Sequence, residues 1–370
     1  MRGAITILAT LLSALLVVLH TVTSTPISSG LTSCDPEMSS TPPTMSAVQV
    51  TTFGAPSVLA PSQHPVPSPG PNQVLVRVVY AGVNRADTLQ RKGSYAPPAG
   101  ESDVLGMEVA GVVEEVGEGV EGHAVGDRVC ALLGSGGYAE YALIDAPLAI
   151  PVPDGVELDA AGGFPEAFIT AYQAMVFIGN LSAGETMLIH GGASGVGTAA
   201  TQLAKLVGAR VIVTASAGKH GVCAQVGADV IIDYKSEDWV QRVKEESQGG
   251  VHLVVDYIGS AYFAKNLDVL KRDGRMVMLG FLSGAVVDGP LSLGPILKKR
   301  LQITGSTLRT RSLEYKSQLV KGLVDLAYTP WSEGAIKVVI DSEFALADAA
   351  GAHTRMEANA NAGKIVLNCQ

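Results

Sequence analysis

Short apolar runs separated by turn residues mark the first part of the chain. Runs at 47–50 and 74–80 predict strands, and a proline-rich stretch at 61–71 predicts an irregular connection between them. Between residues 109 and 129, short β-branched runs alternate with glycine turns such as Gly126-Asp127, which is typical of antiparallel sheets. The pattern therefore predicts an all-β region that extends to about Pro165.

From Ala167 the apolar residues recur with a helical period, and from Thr186 strands and helices alternate. The predicted order is strand 187–190, helix 198–207, strand 211–213, helix 218–226, strand 230–232, strand 253–255, helix 263–270 and strand 276–279. Such alternation predicts a doubly wound parallel sheet. After about Leu308 the chain has helix-like segments and a final strand at 364–367, which we expect to rejoin the first domain.

The chain is therefore predicted to be an α/β protein with two domains. The predicted boundaries are 46–165 for the β-rich domain, 166–307 for the parallel-sheet domain and 308–370 for the returning segment.

Residues 1–45 differ in composition from the rest of the chain. Arg2 precedes an apolar run at 4–19, and a Ser/Thr/Pro-rich stretch follows at 21–44. A stable membrane span needs about 20 apolar residues, so this run favours a cleaved signal or an organellar presequence over an anchor. The alternative is that translation starts near Met45, which would leave the protein cytoplasmic.

Charge and cysteine content exclude several classes. The formal net charge of -9 offers no general attraction to phosphate backbones, so no nucleic-acid partner is expected. The four cysteines are scattered, without the paired spacing of a structural zinc site or a disulfide framework.

The sequence HGGASGVG at 190–197 lies between a predicted strand and a predicted helix. Gly192 and Gly195 permit a tight turn, and Gly197 permits close packing of the helix on the strand. Backbone N–H groups at such a helix start bind a pyrophosphate. Ser194 replaces the usual middle glycine and adds a hydroxyl that could contact phosphate or substrate. The motif predicts a dinucleotide site formed by Gly192, Ala193, Ser194, Gly195, Val196 and Gly197.

The end of the next strand indicates which dinucleotide binds. An NAD site places Asp or Glu there for the ribose hydroxyls. Here the segment contains Ser216 and Lys219 instead, which suits the 2′-phosphate of NADPH. Tyr234 is a candidate second wall of this site. The alternative for Lys219 is an exposed lysine at a helix start.

Several motifs follow one another along the chain: NRAD at 84–87, GSYAPP at 93–98, LGMEVAG at 105–111, PEA at 165–167, HGGASGVG at 190–197, MEAN at 356–359 and GKIVL at 363–367. In this order they resemble the zeta-crystallin-like quinone oxidoreductases of the medium-chain dehydrogenase/reductase superfamily, especially the p53-inducible subgroup. The resemblance covers essentially everything after Met45.

The resemblance implies a GroES-like catalytic domain, a Rossmann cofactor domain, an NADPH cleft between them, and homodimers or homotetramers. It places Asn84 and Tyr95 near nicotinamide and substrate, and it matches Lys219 and Tyr234 to the 2′-phosphate site, with the register of Lys219 against His220 left open. It further implies that the cofactor is lined by Ile258, Gly259, Gly280, Phe281, Leu282, Ser306 and Asn361.

Zinc alcohol dehydrogenases of this architecture carry their ligands in regions that here contain Asn84, Met107 and Pro165-Glu166. Catalytic zinc needs three N, O or S ligands from the protein, so no metal is expected. Hydride transfer from NADPH to an electron-poor quinone is then the predicted chemistry, with Tyr95 as hydrogen-bond donor, Asn84 as positioner and Ser194 as an additional donor. For the two residues, the alternatives are that Tyr95 packs a loop and that Asn84 caps the following turn. For the function, the alternatives are a reductase of α,β-unsaturated aldehydes or ketones and, in another class, a crystallin-like or RNA-binding role.

Overall fold

The computed structural model of the chain describes residues 41–370. The predicted targeting segment therefore lies outside the described residues, apart from its last few positions.

The first region is built from antiparallel strands. They are β1 (Thr44–Val50), β2 (Leu59–Pro65), β3 (Gln73–Val83), β4 (Glu108–Val116), β5 (Arg128–Leu132), β6 (Tyr141–Asp145) and β7 (Ala149–Pro151). Strand β3 is apolar on both faces and lies in the middle of the main sheet, where it pairs with β4 and β6. The ladder continues from β4 through β5 to β7.

Two sequence predictions for this region were wrong. The proline-rich stretch begins within β2, which pairs with β1 along its whole length, because prolines are tolerated on the edge of a two-stranded sheet. The region is also not all-β, since it contains α1 (Arg85–Arg91) and α2 (Leu158–Gly162). At the start of α1 the Asp87 carboxylate accepts the Asn84 backbone N–H at 2.7 Å, which stabilises the first turn.

The second region is the predicted doubly wound sheet. Its strands are β8 (Thr186–His190), β9 (Arg210–Ala215), β10 (Val230–Asp233), β11 (Val251–Asp256), β12 (Leu270–Met278) and β13 (Gln302–Gly305). They pair in the order β10-β9-β8-β11-β12-β13, and every pair is parallel. The order reverses between β8 and β11, which is where ligands bind in open parallel sheets.

Helices connect these strands and flank the sheet. They are α3 (Pro165–Tyr172), α4 (Gly195–Val207), α5 (His220–Gln225), α6 (Trp239–Glu246), α7 (Ser260–Val269) and α8 (Gly294–Lys299). A π-helical turn, Gln173–Ile178, extends α3. Helix α6 was not predicted, although the Asp238 side chain caps it by accepting the Val240 and Gln241 N–H groups.

The chain then returns to the first sheet through α9 (Leu313–Ser332), β14 (Ile340–Ala345), α10 (Ala349–Glu357) and β15 (Lys364–Asn368). Strand β15 pairs antiparallel with β3 and parallel with β14, so the last strand of the described chain belongs to the first sheet. Helix α9 packs against α3 and α4, so only the part after it enters the sheet.

No helix within residues 41–370 is long and apolar enough to cross a lipid bilayer.

Candidate active site

The loops after the parallel strands lie beside the antiparallel sheet of the first region, near β15, and we call this place the junction. Its cofactor side is formed by the parallel sheet, and its catalytic side is formed by the antiparallel sheet. Almost all residues predicted to bind the cofactor lie in those loops or, for 195–197, in the first turn of α4. They follow β8 (192–197), β9 (Ser216 and Lys219), β10 (Tyr234), β11 (Ile258 and Gly259), β12 (Gly280, Phe281 and Leu282) and β13 (Ser306), and Asn361 lies just before β15. The fold therefore brings together residues that are widely spaced in sequence.

The glycine turn after β8 is too tightly packed for larger residues. A Cβ atom on Gly192 would lie 2.5 Å from the Val213 Cβ, and one on Gly197 would lie 2.7 Å from the Gly192 carbonyl oxygen. The turn therefore brings α4 close to β8 and leaves the first N–H groups of α4, those of Gly195 and Val196, available to an anion.

Ser194 is the N-cap of α4. Its hydroxyl accepts the Gly197 N–H at 3.0 Å and lies 2.7 Å from the Tyr257 hydroxyl, which in turn donates to the Gly191 carbonyl at 2.8 Å. The Ser194 hydroxyl thus has two internal partners and a structural role at the turn. Tyr257, which no sequence motif indicated, stabilises the turn through its hydrogen bonds to Ser194 and Gly191.

Lys219 lies at the junction and contacts the returning segment. Its ammonium donates to the backbone carbonyls of Asn359 and Asn361, both at 2.7 Å. Burial lowers the pKa of Lys219. His220, the alternative in this register, lies 3.3 Å from the Ala215 carbonyl within its own loop, so Lys219 is the residue that reaches across.

Other predicted cofactor residues are open or unpaired. Phe281 and Leu282 are each more than half exposed. The Ser306 hydroxyl is buried and has no hydrogen-bond partner within residues 41–370. Gly259 has φ of 89°, and a side chain there would collide with the Gly284 carbonyl. An unpaired buried hydroxyl, free N–H groups and a glycine turn at one sheet edge are features that fit a bound dinucleotide.

On the catalytic side, a buried ion pair holds Asn84. Glu108 is fully buried, and its Oε1 accepts the Lys364 ammonium at 2.5 Å and the Asn84 amide at 2.8 Å. The Asn84 side-chain oxygen accepts Lys364 at 2.7 Å, and Glu108 Oε2 accepts the Glu166 N–H at 2.8 Å. Glu108 has the structural role expected of it, because it fixes three elements around one carboxylate.

Tyr95 lies beside Arg309, with the guanidinium carbon 5.3 Å from the ring centroid. Arg309 is buried and donates to the Gly134 carbonyl and to the Gln90 side chain, both at 2.6 Å. The Tyr95 hydroxyl has no hydrogen-bond partner within residues 41–370. Burial raises the pKa of Tyr95, and the nearby Glu166 adds to the shift. Tyr95 therefore has a free hydroxyl, as a hydrogen-bond donor to substrate requires.

The residues present do not fit a catalytic zinc ion. Within residues 41–370 no group of three His, Cys, Asp or Glu side chains could hold a metal ion. The resemblance matches Asn84 and the buried Met107 to positions of zinc ligands, and the Asn84 oxygen accepts the Lys364 ammonium at 2.7 Å. An amide oxygen that already binds an ammonium group and a thioether are not the usual ligands of catalytic zinc.

Sequence reasoning missed four residues that shape the junction, namely Tyr257, Arg309, Lys364 and the Glu166 side chain. Lys364 could have been found from the sequence. It begins a final strand whose next three residues are apolar, and a buried lysine needs a polar partner. Arg309 gives no local signal, since its partners at Gln90 and Gly134 are distant in sequence.

A GroES-like antiparallel sheet joined to a nucleotide-binding parallel sheet defines a class of two-domain oxidoreductases. Two family profiles match the chain accordingly: the alcohol dehydrogenase GroES-like domain at residues 70–154 and the zinc-binding dehydrogenase at residues 195–325. The chain belongs to the medium-chain dehydrogenase/reductase superfamily.

The relatives within the superfamily include quinone oxidoreductases and VAT-1 homologs. The chain is 32% identical to the quinone oxidoreductase of Mus musculus over 87% of its own length and 97% of the relative. It is 33% identical to the synaptic vesicle membrane protein VAT-1 homolog of Homo sapiens, over 81% and 80% of the two chains. Among solved structures, the Escherichia coli quinone oxidoreductase complexed with NADPH has a TM-score of 0.78 at 31% identity, covering 87% and 99%.

Proposed function

We propose that this protein is a zinc-independent oxidoreductase that uses NADPH to reduce a quinone. The observation that carries the proposal is the pairing of two features at the junction. One side has a glycine turn with free N–H groups and the Lys219 ammonium. The other side has, within residues 41–370, no group of side chains that could hold a metal ion. The relatives named quinone oxidoreductase, and the one solved with NADPH, support it. When bound, NADPH supplies the hydride.

The chain's own residues would hold and orient the two reactants. The N–H groups of Gly195 and Val196 would bind the pyrophosphate, and Lys219 would exchange its carbonyl partners for the 2′-phosphate. The Tyr95 hydroxyl would donate to the substrate oxygen on which charge develops, with Asn84 fixed beside it by Glu108 and Lys364. Quinones suit such a site because they accept hydride without a Lewis acid.

The direct test is NADPH binding followed by turnover. The full-length chain should bind NADPH in calorimetry and oxidise it when a quinone is added, and a metal chelator should leave the rate unchanged. A parallel series with α,β-unsaturated ketones and aldehydes shows whether these are the better substrates. No heat of NADPH binding, or activity that a chelator removes and zinc restores, would contradict the proposal.

The role of Lys219 is tested separately. Lys219→Met should weaken NADPH binding about ten- to hundredfold, because one charge-assisted contact to the 2′-phosphate is lost, and NADH binding should change little. Lys298→Met is the matched control, since Lys298 is exposed and lies in the last turn of α8, where no cofactor residue is predicted. Equal losses for NADPH and NADH in the Lys219 variant would remove this residue from the 2′-phosphate site.

A further inference from the structure

A cavity of about 180 Å³ lies where the catalytic side of the junction meets the start of α9. Its wall is formed by Pro98 and Glu101 from the loop after α1, by Asp145 at the end of β6, and by residues of the segment 309–316. Sites that enclose drug-sized molecules measure about 300–1,000 Å³, so this cavity has room for one small group. None of the described residues that are predicted to bind the cofactor lines it.

Lys316 lines this cavity without a partner for its charge. The residue is only 8% exposed, and its ammonium forms no hydrogen bond or ion pair within residues 41–370. Lysines this deeply buried are normally paired, because burial of an unpaired ammonium is costly. The ammonium keeps some access to solvent, and since so little of the residue is exposed, that access is through the cavity. Lys316 can therefore bind an anion without giving up any existing contact of its ammonium.

Two arginines on the same wall are held in place by other contacts. Arg309 is buried and fixed by the hydrogen bonds described above. Arg311 lies over the Tyr315 ring, with its guanidinium carbon 4.6 Å from the ring centroid, and its Nε donates to the Thr307 carbonyl at 3.2 Å. The four N–H groups on the terminal nitrogens of Arg311 have no acceptor within residues 41–370. Fixed cations with unused donors form a preorganised anion site.

Two carboxylates also line the cavity and reduce its positive charge. Asp145 accepts the Gln73 amide at 3.0 Å, whereas Glu101 is exposed and forms no hydrogen bond or ion pair within residues 41–370. Because no contact holds the Glu101 carboxylate, its side chain can turn outward when an anion enters. Three cations against two carboxylates leave one net positive charge. Leu313, the first residue of α9, also lines the cavity, and the start of a helix attracts negative charge.

Arg309 connects the cavity to the proposed place of the substrate. The residue lines the cavity, and its guanidinium carbon lies 5.3 Å from the centroid of the Tyr95 ring. Pro98 follows Tyr95 in the same loop and also lines the cavity. A group bound in the cavity therefore lies next to the tyrosine that is proposed to contact the acceptor.

We propose that this cavity binds a small oxyanion, a carboxylate or a phosphate group, with Lys316 as the main ligand and Arg309 and Arg311 as secondary ligands. Two sources supply this chemistry: an acidic substituent on the electron acceptor, or a free anion that binds beside the active site. The anion site itself does not depend on the proposed function. Only its assignment to the acceptor rests on that function.

Binding is tested with inorganic phosphate and with benzoate, in calorimetric titrations of the full-length chain at low ionic strength. Saturating NADPH occupies the predicted pyrophosphate and 2′-phosphate sites, so the titrations report on the cavity. Lys316→Met should raise the dissociation constants of both probes about tenfold, because one charge-assisted contact is lost. Glu101→Gln should lower them about two- to fivefold, because a like charge is removed. Lys321→Met, on the exposed part of α9, should match wild type.

Thermal unfolding distinguishes a ligand-binding lysine from a structural one. Without added anion, the Tm of Lys316→Met should equal or exceed that of wild type, because an unpaired buried ammonium is removed. Phosphate should raise the Tm of wild type more than that of the variant. Equal affinities of wild type and Lys316→Met for both probes would overturn the proposal. A lower Tm in both Lys316→Met and Glu101→Gln would also overturn it, because it would identify a structural pair of these two residues.

Turnover distinguishes the two sources of the anion. If the acceptor carries it, kcat/KM for a quinone with a carboxylate substituent, relative to that for the neutral parent quinone, should fall about tenfold in Lys316→Met. If a free anion binds, turnover of the neutral quinone by wild type should depend on benzoate concentration, and this dependence should be lost in the variant. A chain that does not bind NADPH would contradict the proposed function alone, since the same titrations without NADPH still test the cavity.

Discussion

The two sides of the junction are built by different means. The side formed by the parallel sheet presents backbone N–H groups and glycines, and its residues come from loops that all follow strand ends. The catalytic side presents side chains that are buried and charged, with Glu108 and Lys364 among the least exposed charged groups of the described chain. The geometry of the parallel-sheet side depends on the backbone conformation. The stability of the catalytic side depends on each buried charge keeping its partner.

A second buried network reinforces this difference. Tyr138 lies 3.1 Å from both Asp87 and His353, and Arg91 connects His353 to Glu357. All of these residues belong to the catalytic side, and they tie α1 to α10. Buried charges cost several kcal/mol each when unpaired, so the catalytic side should tolerate fewer substitutions than the cofactor side.

The largest expected effect comes from breaking the buried ion pair. Glu108→Gln leaves the Lys364 ammonium buried without a counterion and should lower the free energy of unfolding by about 3–5 kcal/mol in urea titrations. Asp325→Asn removes one partner of the exposed Lys321–Asp325 pair and should change stability by less than about 1 kcal/mol. Equal effects of the two variants would refute the contrast between buried and exposed charges.

A smaller effect is expected from crowding the glycine turn. Gly197→Ala places a methyl group against two backbone carbonyls and should cost about 1–3 kcal/mol of stability, and it should weaken NADPH binding because the turn must shift. Gly54→Ala, between β1 and β2, would bring its Cβ only to a 3.4 Å contact with the Val58 side chain and is the matched control. Unfolding curves and NADPH titrations of both variants check this, and unimpaired NADPH binding by Gly197→Ala would argue against the turn as the phosphate site.

The smallest effect concerns acid pH. Burial and then the Arg91 charge lower the pKa of His353 from its ordinary value of 6.5 to about 3. Below pH 6.5 the unfolded chain takes up a proton that the folded chain refuses, so this residue makes stability fall as the pH falls toward about 3. His353→Gln should reduce the slope of unfolding free energy between pH 5.5 and 4 by about 1.4 kcal/mol per pH unit relative to wild type. A slope in the variant that equals the wild-type slope would contradict the argument.

The sequence predicts the cofactor side far better than the catalytic side. Strand and helix periods place β8, α4 and β9 correctly, and a glycine turn between a strand and a helix defines its own geometry. The superfamily and the fold that the motifs imply are confirmed. The roles of individual site residues remain predictions, as do the domain boundaries and the oligomeric state.

The catalytic side could not be predicted because its contacts join residues far apart in sequence. Asn84 and Lys364 meet only after β15 has paired with β3, and the partners of Arg309 lie on α1 and after β5. Glu166 resembles an ordinary helix-start glutamate in sequence, but burial and then the charge of Glu108, which is distant in sequence, raise its pKa. No local pattern contains this information.

The late position of β15 in the chain affects how the protein folds while it is being synthesised. Lys364 donates to the Val83 carbonyl across 281 positions, and the Gly363 N–H donates to the Ala193 carbonyl of the glycine turn. A ribosome adding about 5–20 residues per second needs roughly 15–60 s to pass from β3 to β15. During that interval the part of β3 at 80–83 lacks the strand that pairs with it in the folded sheet, and Glu108 lacks its ammonium partner.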